Sequence, residues 1–136
     1  MRAEAVSAPT IDRVDHFVLT VKDVDATCRF YERALGLKRV EFEGRVALQI
    51  GRQKINLHRA GHEFEPKART PAPGAGDFCL ISSTRLEDVI EHLKACGVAI
   101  EVGPVPKTGA LGKMRSVYFR DPDGNLVEVS NYLQPA

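Results

Sequence analysis

The chain writes one pattern twice. VDHFVLTVKD near the start is answered by GDFCLISSTR at an offset of 61 residues, which sets His16 on Asp77, Phe17 on Phe78 and Leu19 on Leu80. The same offset sets Gly36 on Gly97. Between these landmarks Val24, Thr27, Cys28, Tyr31, Ala34 and Leu35 recur at helical spacing, as do Leu86, Val89, Ile90, Leu93 and Cys96 in the second copy. Each predicted helix stops at its glycine, the residue that enters the left-handed region without a Cβ clash. Asp23 and Thr84 stand where N-caps belong, followed by Asp25 and by Glu87 and Asp88, acids that suit the positive end of a helix dipole.

Three strand signals follow each helix: LKRVEFEG, RVALQIG and KINLHRA, then AIEVGPV, RSVYFRD and NLVEVSN. GRQ and DPDGN turn the last two strands of each copy into hairpins; in the second, Pro122 fixes φ, Asp123 offers a side-chain hydrogen bond and Gly124 offers positive φ. Each copy therefore reads as a βαβββ module. The fold class is α+β, with two modules forming a curved mixed sheet around a cup. Residues 1–10 read as a tail and 11–136 as a single domain, with module one over about 11–60 and module two over 77–133. The connection at 61–76 is rich in proline and glycine, lacks periodicity, and reads as a lid over a site. GPVPKTGALGKM reads as a second irregular stretch.

Strand alternation gives the polar residues directions. His16 shares a face with Val18 and Thr20, His58 with Asn56, and Glu128 with Leu126 and Ser130. A helix on one face of each module leaves the other face as a lining, on which His16, His58, Asp77 and Glu128 are expected to converge. Unpaired carboxylates among apolar strand neighbours are costly unless something compensates them. His62 reads as a solvated lid residue and His92 as a helix-surface one.

Composition removes other classes of function. The net charge is +1 with scattered basic residues, so no footprint for nucleic acid or an anionic membrane is present. No apolar run approaches the roughly 20 residues of a membrane span, and the first residues lack the apolar core of a secretory signal, so a cytoplasmic location is expected. Cys28, Cys79 and Cys96 form no CxxC pair and read as reduced core thiols.

The doubled module, with DHFVLTVKDVDATCRFYERALGL, KINLH and above all YFRDPDGNLVEVSNY, resembles the vicinal oxygen chelate superfamily: glyoxalase I, fosfomycin resistance proteins, extradiol dioxygenases and bleomycin resistance proteins. The resemblance spans nearly all of the chain after residue 11. NLH, EFEPKA and FRDPDGNLVEVSNY are similar more narrowly to the subgroup of glyoxalase domain-containing protein 5.

That resemblance implies one divalent metal ion per site (Mn, Fe, Co, Ni or Zn) on His16, His58, Asp77 and Glu128. Bacterial glyoxalase I has His, Glu, His and Glu at these four places; here the second is His58 and the third Asp77, so Asp77 is the weakest member of the set. His16, His58 and Glu128 alone make a two-His, one-carboxylate set with open positions for substrate oxygens. In the glyoxalase-like reading Glu128 doubles as the catalytic base, with His58 or Asp77 as the alternative. Ser116 and Tyr118 are expected to line the pocket, and Lys67, Lys107 and Arg115 to meet an anionic substrate group. The implied function is a metal-dependent lyase or isomerase acting on a small oxygen-rich molecule, as a homodimer. The alternatives are an Fe(II) or Mn(II) ring-cleaving dioxygenase and a non-catalytic antibiotic binder of the bleomycin-resistance type.

Overall fold

The structure, a computed structural model, describes residues 7–134. Module one consists of β1 (His16–Val21), α1 (Val24–Leu35), β2 (Lys38–Phe42), β3 (Arg45–Ile50) and β4 (Gln53–Arg59). Module two repeats it with β5 (Asp77–Ile81), α2 (Leu86–Ala95), β6 (Val102–Gly109), β7 (Gly112–Arg120) and β8 (Leu126–Tyr132). The strands form two four-stranded sheets of matching order, β1-β4-β3-β2 and β5-β8-β7-β6. In each, the first strand pairs parallel with the last and the rest pair antiparallel.

Local chemistry explains the boundaries. Asp23 caps α1, its side chain accepting from the Ala26 amide at 2.9 Å, and Gly36 ends the helix at φ 66°. The cap of α2 differs from expectation. Thr84 lies before the helix, and Asn131 on β8 supplies the acceptor, taking the Leu86 amide at 2.7 Å while its own amide group donates to the carbonyls of Ser82 and Thr84. A neighbouring strand thus performs the work of a local cap. The stretch expected to be irregular after residue 103 is largely strand: β6 runs to Gly109 and pairs with β7 across a register shift between Val102 and Val105.

The turn before β8 is organised by Asp121 rather than by Asp123. Buried Asp121 accepts from the amides of Asp123 (2.9 Å) and Asn125 (3.0 Å), from the Asn125 side chain (2.8 Å), and from Tyr31 Oη of α1 (2.7 Å). Asp123 instead takes the Lys22 amide at 3.1 Å. The turn of module two is therefore tied to the first strand and helix of module one. Burial, with Asp121 beside it, pushes the Tyr31 phenol far above its ordinary range, so it stays a donor.

One apolar core joins the modules, drawing Leu19, Val21, Tyr31, Leu48 and Ile55 from the first and Leu86, Leu93, Val117, Phe119 and Val127 from the second. Each fully buried aliphatic or aromatic side chain contributes about 1.5–3 kcal/mol. At the seam, β1 and β5 meet through their aromatic side chains. Phe17 and Phe78 rings meet at 5.1 Å, and Leu19 packs where a Cβ on Gly76 would approach within 2.7 Å of it. With Phe17, Leu19, Phe78 and Leu80 turned to the core, the alternate residues His16, Val18, Asp77 and Cys79 face away from it, onto the helix-free faces.

Candidate functional site

Register decides which residues correspond. Val18 pairs with Asn56 in module one, and Cys79 pairs with Glu128 in module two. Since Val18 and Cys79 are equivalent by the repeat, so are Asn56 and Glu128. His58 pairs with Thr20 and is thereby equivalent to Ser130. The expectation that His58 mirrors Glu128 is corrected: His58 is four strand positions from the row of His16, whereas Asn56 is two. Each module carries one diagonal pair across its parallel ladder, His16 with Asn56 and Asp77 with Glu128.

The members differ in their surroundings. His16 is exposed, its Nδ1 engaged by Asp15 at 2.8 Å, and its Nε2 has no partner among the described residues. Asn56 is buried, and its Oδ1 is a buried polar atom without a hydrogen-bond partner among the described residues. Such an orphan acceptor costs about 1–3 kcal/mol, a cost that a ligand would remove. Asp77 is exposed and Glu128 half-buried. Among the described residues no three His, Cys, Asp or Glu side chains draw together as a cation site, so the four residues expected to converge do not do so within one chain.

The second sheet presents a hydrogen-bonded strip beside Glu128. Ser130 Oγ donates to the Glu128 carboxylate at 3.2 Å, lies 2.5 Å from Ser116 Oγ, and is 3.3 Å from Cys79 Sγ. Tyr118 is the register partner of Glu128. Partial burial, reinforced by that carboxylate, pushes its phenol up to about 12, so Tyr118 is a donor at neutral pH. Lys107 lies over the Tyr118 ring, its Nζ 5.6 Å from the centroid. Cys79 is exposed on this face and is not a core thiol; Cys28 is buried and Cys96 intermediate. Burial of the Cys79 sulfur still raises its pKa, so it is a poor thiolate at neutral pH.

Two of the expected anion contacts are already engaged. Arg115 points to the helix side of its sheet, where it meets Glu87 of α2 at 2.9 Å, because strand alternation sets it opposite to Ser116 and Tyr118. Lys67 is paired with Glu65 at 3.1 Å and Glu63 at 3.7 Å. Two lysine-to-carboxylate contacts leave that stretch of the lid without a free positive charge.

The connection at 61–76 crosses the helix-free face of the first sheet. Phe64 sets its ring edge-on to His58 at 5.5 Å and lies under the Arg45 guanidinium at 4.3 Å. Beneath this cover His58 is only 5% exposed, and desolvation, followed by the Arg45 charge, lowers its pKa. His62 is exposed, while His92 reaches the Arg33 carbonyl at 2.8 Å and ties α2 to α1.

Comparison with known proteins follows the same outline. The sequence profile described as Glyoxalase/Bleomycin resistance protein/Dioxygenase superfamily matches residues 13–129. The chain belongs to this superfamily. It is 53% identical over 124 residues to "Virulence protein STM3117" of Salmonella typhimurium, covering 90% of this chain and 86% of that one. The crystal structure of that protein superposes with a TM-score of 0.91, covering 92% of this chain and 100% of the other. "Glyoxalase domain-containing protein RDO1" of Mycosarcoma maydis is 48% identical, covering 90% of this chain and 70% of that one. A lactoylglutathione lyase from Agrobacterium tumefaciens, 28% identical, superposes with a TM-score of 0.68, covering 90% of this chain and 95% of the other. The two-module vicinal oxygen chelate architecture read from the sequence is thus the architecture of the chain.

Proposed function

We propose that this protein is a divalent-metal-dependent enzyme of the glyoxalase-like branch, a lyase or isomerase acting on a small oxygen-rich molecule. The observation that carries the reading is the diagonal donor pair written in both modules, His16 with Asn56 and Asp77 with Glu128, together with the orphaned Oδ1 of Asn56. One imidazole nitrogen and three side-chain oxygens fit a hard to borderline divalent cation, which shifts the choice toward Mn or Fe(II) and away from softer, sulfur-seeking ions. When bound, such an ion supplies Lewis-acid stabilisation of negative charge on neighbouring substrate oxygens.

The remaining roles fall to side chains around it. Glu128, aligned by Ser130, is the group placed to accept a proton from the substrate, and Tyr118, held protonated, donates to a substrate oxygen. Ser116 acts through Ser130, and Lys107 stands at the rim for an anionic group. Because the two donor pairs stay separate in one chain, a homodimer that sets a pair from each subunit face to face completes the site.

Elemental analysis of protein purified without chelator or nickel resin, combined with sedimentation, tests this reading. About one metal per chain in a dimer, lost in Glu128→Ala, is expected. A metal-free wild type after supply of Mn, Fe, Ni or Zn would replace it with the antibiotic-binder reading.

A further inference from the structure

The lid does more than cover the sheet. Between it and the first sheet lies a cavity of about 520 Å³, within the usual range for small-ligand sites. Its wall is mainly aliphatic, with Val18 on the sheet side and Pro66 and Pro71 on the lid side, and no Phe or Tyr ring lines it. Polar groups are few: Thr20, Thr70, His58 and Lys67. His58 is more than nine-tenths buried, lines this cavity, and has no hydrogen-bond partner among the described residues. Its ring nitrogens are not sealed into the core, so they are open to a polar group that enters the cavity. Lys67 adds no free cation, since Glu63 and Glu65 hold its ammonium group.

We propose that this lid pocket is a binding compartment for the aliphatic body of a neutral ligand bearing a hydroxyl or carbonyl group, with the His58 ring as its hydrogen-bond partner. Neutrality follows from the paired Lys67, and an aliphatic body from the Val and Pro lining. The pocket abuts the donor pairs: Gly76 in its wall directly precedes Asp77, and Val18 is the register partner of Asn56. A molecule seated here thus reaches the donor face with its other end. Only that last link rests on the proposed metal-dependent function; the pocket and its ligand class stand on separate residues.

The test is an NMR titration of metal-free protein, labelled in the histidine side chains and backbone, with cyclohexanol and with cyclohexanecarboxylate as the matched anion. Saturable shifts of the His58 ring and of residues 61–76 with cyclohexanol, and weaker binding of the carboxylate, are expected. His58→Phe keeps a ring without the nitrogens and should weaken cyclohexanol binding about fivefold, the worth of one hydrogen bond. Glu128→Gln, which disables the proposed metal site, should leave cyclohexanol binding unchanged. Silence of the lid and His58 resonances in the wild type overturns the inference, as does tighter binding of the carboxylate or indifference to His58→Phe. The wild-type titrations decide the matter even if a variant fails to fold. Metal binding that persists without cyclohexanol binding would overturn this inference alone.

Discussion

The two modules share a strand order and a diagonal donor pair, yet one is roofed and the other open. In module one the lid covers His58, and the buried Asn56 Oδ1 has no hydrogen-bond partner among the described residues. In module two Asp77 and Cys79 remain exposed, and Glu128 sits among serines that hydrogen-bond it and one another. Duplication fixed the backbone positions, and the side chains then diverged. One half became a roofed, mainly aliphatic compartment beside an unpartnered Asn56 oxygen, and the other a polar strip with a positioned carboxylate.

The sharpest contrast in stability lies at the hairpin turns. Asp121 gathers four hydrogen bonds, one from the other module, whereas at the matching turn of module one Gln49 donates to the Gly51 carbonyl at 2.8 Å and Gln53 to the Val14 carbonyl at 2.6 Å, with no buried carboxylate gathering the turn. Asp121→Ala should cost about 3 kcal/mol or more in urea unfolding and Gln49→Ala less than about 1 kcal/mol. Similar costs would erase the asymmetry. At the seam, Gly76→Ala drives a Cβ to 2.7 Å from Leu19 Cδ2 and 2.9 Å from Asn125 Oδ1, and should cost about 2 kcal/mol by the same measurement. The helix caps come next. Asp23→Ala and Asn131→Ala should each cost about 1 kcal/mol, but only Asn131→Ala should raise amide exchange at Leu86 and loosen β8 from α2.

The smallest expected effect is a pH dependence that belongs to module one. The folded-state pKa of His58 is depressed by burial and by Arg45, with Glu63 opposing, so the unfolded chain binds the extra proton first. Stability therefore falls as pH drops below the unfolded value of about 6.5, and is regained above it. Unfolding curves between pH 7 and 5 should be flatter for His58→Phe than for wild type; parallel curves would show that His58 is not buried as described.

Much of this was legible in the sequence. Helical spacing, Asp23 and Gly36 located α1, and the repeat at 61 residues defined the doubled module, because local periodicity and capping chemistry are properties of contiguous residues. The site was less legible. The repeat does not keep its offset: β6 and β7 are longer than β2 and β3, so the last strands correspond at 72 residues and Asn56, not His58, is the counterpart of Glu128. An asparagine among I, N and L carries no conspicuous signal beside a histidine two places on. Cys79 looked like core by composition, although alternation from Asp77 already set it on the outer face. The Asn131 cap and the pairing of Arg115 with Glu87 join distant segments, which no local pattern encodes.

The central claim is that register, rather than residue type, selects the donors, and Mn(II) affinity measured by calorimetry on Asn56→Ala, His58→Ala and Glu128→Ala tests it most directly. The account predicts that Asn56→Ala and Glu128→Ala each weaken binding by about tenfold or more while His58→Ala changes it by less than about threefold. Loss of Mn(II) in His58→Ala with Asn56→Ala unaffected would contradict it.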